Sequence, residues 1–356
     1  MNMTLRWFGP SDTVKLWQIR QIPGVVGVVS TLYEKRPGEV WEKNEVLSLQ
    51  DTIQKSDLKL SGIESVNIHD SIKVGDSDRD AYIDKYIKTL QVLGECGIDL
   101  VCYNFMPVFD WTRSELKKKR SDGSYVLSYS QQDIDKINPE NIFNSMNQKS
   151  QGHMLPGWEP ERLSKIKDLF AKYEHVDEHK LFENLVYFLK AIGDVCIKYD
   201  IKMAIHPDDP AWPVFGLPRI MTNKQNLVKL TKSVNKRYNG VTLCTGSLGS
   251  NPNNDIVDTI RCLKDRIHFA HVRNIVHFQD GNFDEAAHLS SDGSMDMVSI
   301  LKAFFDIGFD GVMRPDHGRM IWGERAIPGY GLYDRALGAS YIVGIWETLS
   351  KLVKRA

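Results

Sequence analysis

The sequence has no uninterrupted apolar run of the ~18 residues that a membrane span needs. Its opening, MNMTLRWFGPSD, lacks the apolar core of a secretory signal, so a cytoplasmic protein is expected. There is no surplus of charge either. The 45 basic residues face 46 acidic ones, a net of −1, and the basic footprint of a nucleic-acid binder is missing. The one basic block, Lys117-Lys118-Lys119-Arg120, reads as a solvated loop. Cysteine is scarce: Cys96, Cys102, Cys196, Cys244 and Cys262 form an odd, scattered set with no CxxC pair. That excludes a disulfide framework and fits a reducing compartment. No GxGxxG follows any apolar run, which argues against dinucleotide binding, and no internal repeat is visible.

What is present is a chain of 356 residues, 42% of them hydrophobic, enough to fold around a core without disulfides or a structural metal. Eight short apolar runs read as strands: LRWF from Leu5, VGVVSTL from Val26, LSGIESV from Leu60, LVCYNF from Leu100, KMAIHP from Lys202, GVTLCTG from Gly240, IHFAHVRN from Ile267 and GVMRPDHG from Gly311. Patterns of helical period lie between them, over 44–59, 78–94, 178–200, 223–236, 252–264, 294–307 and 332–353. Ser294 is the expected N-cap of the penultimate helix, and Gly308 its left-handed stop. Eight alternating units imply an α/β fold, a single (β/α)8 TIM barrel spanning 1–356. The stretch 110–173 breaks the rhythm. It is polar, shows no strand, and reads as an insertion after strand four that lies over the strand ends like a lid or forms a subunit contact.

Barrel active sites sit at the carboxyl ends of the strands, so the residues that end each run matter most. The fifth run ends in His206, the sixth in Cys244, the seventh in His271 and the eighth in Asp316 followed by His317. Alternation puts the first four on the same face as Ala204, Thr242, Phe269 and Arg314, so they can meet at one end of the barrel. Each alone is ordinary: a strand cysteine packs as a small hydrophobe, and a strand histidine such as His268 is a hydrogen-bonded structural group. Together, imidazole, thiolate and carboxylate suit a divalent zinc, iron or manganese ion. Arg273, two residues beyond His271, is placed to fork onto a substrate carboxylate, and Asn104 to bond a hydroxyl. Trp7, Trp111 and Trp158 are candidate pocket walls. The segment HGRMIWGERAIPGYGLYDRALGASY after strand eight has the composition of a loop that closes over the mouth.

Six separated motifs, RWFGP, IHPDDP, LCTGS, HVRN, RPDHGR and PGYGLYDRALG, resemble in order those of the mannonate dehydratases of hexuronate catabolism, across residues 5–349. The resemblance is not to the enolase-superfamily enzymes of the same activity. It implies a xylose-isomerase-like barrel, a hydro-lyase of glucuronate catabolism that converts D-mannonate to 2-keto-3-deoxy-D-gluconate, with Mn2+ or Fe2+ on His206, Cys244, His271 and Asp316, working as a homodimer. The family's catalytic pair falls on His317 and Tyr330, with Tyr333 close by as the alternative tyrosine. Tyr330 is expected as the base, helped by a cation such as Arg319 or Arg325, and His317 as the acid. Arg319 is also counted among the substrate contacts. An aldose–ketose isomerase or epimerase would use a more carboxylate-rich site, and a metal-dependent endonuclease would need a basic face. A sugar-acid sensor would have no module through which to report.

Overall fold

The computed structural model describes residues 1–137 and 166–353. Twelve strands are found among the described residues: β1 Asn2–Arg6, β2 Val25–Ser30, β3 Lys59–Glu64, β4 Leu100–Tyr103, β5 Glu115–Lys119, β6 Tyr125–Tyr129, β7 Lys202–Ile205, β8 Asn239–Cys244, β9 Ile267–Val272, β10 Ile275–His277, β11 Phe283–Glu285 and β12 Val312–Pro315. Eight of them, in the order β1-β2-β3-β4-β7-β8-β9-β12, close into a barrel of parallel strands with β12 paired to β1. These eight are the expected apolar runs. They read as continuous rather than alternating hydrophobic stretches because both faces are covered, one by helices and one by the barrel interior. Inside, Val29, Leu100, Cys102, Ala204 and Phe269 form a small apolar floor, and Thr242 Oγ1 donates to the Ala204 carbonyl at 3.1 Å. Two residues further along the same faces come the polar groups of the site.

The outer helices follow their apolar stripes. In the helix Met297–Asp306, Met297, Ile300, Leu301 and Phe304 are buried at the i, i+3, i+4, i+7 spacing. Gly308 takes φ 71° just past its end, as expected of a glycine stop. Its N-cap is Asp296, not Ser294: the Asp296 carboxylate accepts from Ser299 N–H at 3.1 Å. Ser294 instead accepts the His277 N–H and donates its own N–H to Ile275. The single helix expected over 178–200 is two, Glu178–Ala191 and Gly193–Lys198. At the break, the Tyr238 hydroxyl donates to the Leu189 carbonyl, and a side chain at Gly193 would meet that same hydroxyl.

The insertion after β4 does contain strands. β5 and β6 form a hairpin, and β6 pairs with β11, giving a four-stranded antiparallel sheet ordered β10-β11-β6-β5. The basic block lies on the outer strand of this sheet and just beyond it, not in a loop. Lys118 pairs with Asp284 at 2.8 Å and Arg120 with Asp292 at 2.7 Å, charges that mask the strand in the sequence. The hairpin also holds the segment after β12, since Tyr125 and Met320 exchange both backbone hydrogen bonds. The expected lid also contains the helices Gln131–Lys136 and Ile166–Tyr173, and its residues 138–165, Trp158 among them, lie outside the described residues.

Candidate active site

His206, Cys244, His271 and Asp316 arrive from four adjacent strands at the carboxyl end of the barrel. The ladder puts Cys244 directly opposite His271, and His271 opposite Arg314, two residues before Asp316. His206, Cys244 and His271 each offer a ligand atom, and the three lie within 4.8 Å of one another. Asp316 Oδ2 stands 3.5 Å from Cys244 Sγ. His206 Nδ1 is 2.7 Å from the Pro207 carbonyl. A carbonyl only accepts, so Nδ1 carries the proton and Nε2 keeps its lone pair. Burial pushes the His206 pKa down, which favours that neutral, ligating ring. His271 Nε2 is buried without a hydrogen-bond partner; its neighbouring anion is Glu64 at 3.6 Å, and its Nδ1 lies 3.3 Å from Arg314. Burial alone would raise the Asp316 pKa, but His317, Arg314, Arg273 and His271 outweigh it and hold the carboxyl well below its usual range. Two imidazoles, a thiol and an ionised carboxylate, with one buried ring nitrogen left without a hydrogen-bond partner, fit a divalent transition-metal ion.

Behind these groups stands a frame of buried ion pairs. Arg314 bonds Glu64 and Asp316, and Arg6 bonds Glu64 at 2.8 Å. Arg113, from the insertion, bonds Asp209 at 2.7 Å and Glu285 at 2.9 Å. Arg273 corrects the sequence reading. It is fully buried, absent from the cavity lining, and bonded to Asp209 at 2.7 Å, Glu285 at 2.8 Å and Asp316 at 3.3 Å. It also donates to Ser247 Oγ, whose own hydroxyl lies 3.0 Å from Cys244 Sγ. Arg273 therefore braces the ligands from behind instead of forking onto a substrate. Burial would raise the Asp209 pKa, yet Arg113 and Arg273 hold it far below the usual carboxylate range.

His317 and Tyr330 form the second part of the site. His317 Nε2 and the Tyr330 hydroxyl are 2.8 Å apart, and His317 Nδ1 is 2.6 Å from Glu285 Oε1. Tyr330 is 3% exposed, whereas Tyr333 is 40% exposed and lies against Trp322 on the surface. The structure thus brings Tyr330, and not Tyr333, to His317. Burial raises the Tyr330 pKa well above the usual phenol value despite Arg6 and Arg314, so the phenol keeps its proton at neutral pH. The cations near it are Arg6 and Arg335, whose guanidinium carbons lie 5.9 Å and 5.7 Å from its ring centre. Arg319 is instead bonded to Asp334 and Asp122, outside the cavity, and Arg325 is exposed.

A cavity of about 430 Å³ opens beside these groups, within the range of about 300–1,000 Å³ usual for small-molecule sites. Asn104, Trp111, His206, Asp316, His317 and Tyr330 line it. Trp111 sets its ring edge-on to His317 at 5.8 Å. Trp7 does not reach the cavity; it is buried, and its carbonyl accepts from Ser30 and Tyr33. Reading the strand ends also missed several residues. Arg6 and Glu64 close β1 and β3 and were findable by the rule applied to strands five to eight. Arg113, Asp209 and Glu285 carry no such positional signal. His268 is the structural histidine expected of it, bonded to the Arg237 carbonyl at 2.8 Å.

The chain is similar to known proteins over its whole length. The D-mannonate dehydratase (UxuA) family model matches residues 1–356. The mannonate dehydratase of Brachyspira hyodysenteriae is 62% identical over 355 residues, covering 99% of this chain and 100% of that protein. That of Thermotoga maritima is 53% identical over 358 residues, covering 100% and 99%. The crystal structure of mannonate dehydratase from Streptococcus suis serotype 2 superposes with a TM-score of 0.90 at 38% identity, over 99% of this chain and 96% of that one. A xylose isomerase-like TIM barrel protein from Mycobacterium smegmatis shares only the fold, with a TM-score of 0.55 at 13% identity, over 94% and 87% of the two chains. With a match this complete, and with every motif that suggested the resemblance inside it, the chain belongs to the D-mannonate dehydratase family.

Proposed function

We infer that this chain removes water from D-mannonate to give 2-keto-3-deoxy-D-gluconate, with His317 and Tyr330 moving the protons. The observation that carries the reading is the hydrogen-bonded His317–Tyr330 pair, which faces the cavity beside His206, Cys244, His271 and Asp316. Those four would hold Mn2+ or Fe2+. When bound, the metal would act as a Lewis acid toward the carboxylate end of the substrate, where charge develops as the C2 proton leaves.

The chain's own residues supply the rest. The Tyr330 oxygen takes the C2 proton, and His317 Nε2 gives a proton to the departing C3 hydroxyl. The enol so formed tautomerises to the 2-keto acid. Asn104 is placed on the cavity wall to bond a substrate hydroxyl, and Trp111 and Phe8 flank the catalytic rings and keep water from them. An isomerase would need more carboxylates facing the cavity; here Glu64 and Asp209 are committed to arginines.

The reading extends to a cytoplasmic homodimer. All five cysteines are free, which suits a reducing compartment, and among the described residues no helix is long and apolar enough to cross a membrane. The test is product formation from D-mannonate after chelation and re-addition of Mn2+ or Fe2+, with Cys244→Ser alongside. Metal-dependent appearance of a 2-keto-3-deoxy acid, impaired in the variant together with its metal content, is expected. Isomerisation of an aldose in its place would overturn the reaction.

A further inference from the structure

Glu285 is fully buried, lies on the small accessory sheet and not on the barrel, and directs one oxygen at His317. Three nitrogens converge on that oxygen: His317 Nδ1 at 2.6 Å, Arg273 Nη1 at 2.8 Å and Arg113 Nη2 at 2.9 Å. The other carboxylate oxygen, Oε2, has no hydrogen-bond partner. The strand is firmly set. Glu285 pairs with Ile275 of β10, Phe283 with Tyr129 of β6, and those two aromatic rings stack at 5.4 Å.

We propose that Glu285 is the positioning residue that fixes the His317 proton on Nδ1, so that Tyr330 donates to Nε2 and the two side chains act as one proton relay. The inference rests on the dehydratase reading for its chemistry, but its geometry stands apart from it. Two neutral wirings compete. In the first, Nδ1–H donates to Glu285, and Arg273 donates to the same carboxylate oxygen. In the second, Arg273 Nη1, 2.9 Å from Nδ1, donates to the ring, and Nε2–H points at the Tyr330 oxygen. The second leaves a ring lone pair facing a carboxylate oxygen at 2.6 Å, two acceptors with no proton between them. It also takes from Glu285 a donor that the first supplies. A carboxylate paired with two guanidiniums is ionised and only accepts, so the first wiring is the one the distances support.

The relay then balances. As the C2–H bond breaks, its proton forms a new O–H bond at Tyr330. The phenol's own proton passes along the 2.8 Å hydrogen bond to Nε2, and the imidazolium is stabilised by the Glu285 carboxylate across the ring. Nε2–H is then transferred to the departing hydroxyl as the C3–O bond breaks and water forms. Neither ring needs to exchange with bulk solvent within one turnover. A phenol that burial holds protonated can in this way serve as a base without first being ionised.

Neutron diffraction from the manganese-loaded enzyme exchanged into heavy water reads the wiring directly. A deuteron on His317 Nδ1, with none on Nε2 and the Tyr330 deuteron directed at Nε2, is expected. A deuteron on Nε2, with or without one on Nδ1, overturns the proposal. The kinetic arm is Glu285→Gln, whose amide oxygen can still accept from all three nitrogens, so that the variant removes the carboxylate charge that stabilises the imidazolium and leaves the hydrogen bonds in place. Turnover of D-mannonate should fall by about 10²–10⁴-fold, with KM within about twofold and metal content unchanged. Unchanged kcat, or a loss confined to KM, would refute the positioning role. If the unaltered enzyme fails to turn over D-mannonate, the function assignment falls, while the deuteron positions still decide the tautomer.

Discussion

Replacing Arg273 with methionine separates bracing from substrate binding, because the two roles predict opposite signatures. Arg273 contacts three carboxylates, Asp209, Glu285 and Asp316. Each keeps one other guanidinium when it is gone: Arg113 for the first two and Arg314 for the third. The loss is therefore one uncompensated buried negative charge and not three, which sets the cost at about 3–5 kcal/mol. That is a large share of the roughly 5–15 kcal/mol by which folded proteins are stable. Urea unfolding at pH 7 would show it as a lower midpoint, and metal content after gel filtration should fall as well, since Asp316 and, through Ser247, Cys244 lose their brace. The pH dependence has a defined sign. Arg273 helps to hold Asp209, Glu285 and Asp316 below their unfolded pKa values, a contribution complete above the unfolded carboxylate range and lost progressively as pH falls from there through the lower folded values. The gap between native enzyme and variant should be widest above about pH 5 and narrow below about pH 4. Arg273→Lys should fall between the two, because one ammonium cannot span the carboxylates that the fork bridges. A variant of native stability and metal content with only a raised KM would refute the bracing role and restore the substrate clamp.

His317→Asn should slow turnover by about 10²–10⁴-fold while the metal content measured by mass spectrometry stays intact, and Tyr330→Phe should do the same. Tyr333→Phe, at the surface, should leave kcat unchanged. Gly329 has φ 79°, and a methyl group there would meet Leu127 Cδ1 at 2.8 Å and His317 Cβ at 3.4 Å. Gly329→Ala should cost about 1–3 kcal/mol in urea unfolding and lower kcat by displacing Tyr330 next to it. Gly323→Ala, at φ 71° but with nothing within 4 Å, should pay only the backbone strain and keep kcat.

The barrel and the convergence of His206, Cys244, His271 and Asp316 at its carboxyl end were legible because both depend on short-range pattern. An apolar run covered on two faces needs no partner to be recognised, and alternation along each run fixes which residues point inward. The same rule put Arg273 on the His271 face correctly, but it does not report depth. Arg273 is bonded to Glu285 of the accessory sheet, and the register of β11 against β6, set between segments more than a hundred residues apart, decides that. Glu285 was hidden for a related reason. Its strand, Phe283–Glu285, is three residues long with one hydrophobic residue, and only the hydrogen-bonding ladder reveals it. In β5, three consecutive lysines overrode the strand signal, since Asp284, the partner of Lys118, comes from more than a hundred residues further along the chain, as does Asp292, the partner of Arg120 just beyond the strand. Tyr330 ends a glycine-rich loop and Tyr333 opens the helix Tyr333–Val353 three residues later, and burial tells them apart.

The charge count around the site bears on what it accepts. Arg6, Arg113, Arg273 and Arg314 are balanced by Glu64, Asp209, Glu285 and Asp316, all buried, so the frame itself is neutral. If Cys244 holds the metal, as proposed, its thiol would be deprotonated and would add one negative charge. A divalent ion then leaves one positive charge in a site lined largely by buried groups, where an uncompensated charge costs several kcal/mol. A monoanionic acid restores neutrality on binding, and a neutral aldose or lactone of the same size does not. Arg6, Arg113, Arg273 and Arg314 are committed to carboxylates, so recognition of the acid would fall to the charge of the ion, to the hydroxyl contacts along the cavity wall, and to Lys35 and Arg36, which also line it. This favours a sugar acid over the neutral sugars handled by proteins that share the barrel, and the same balance explains how a site so rich in arginine can hold a cation at all.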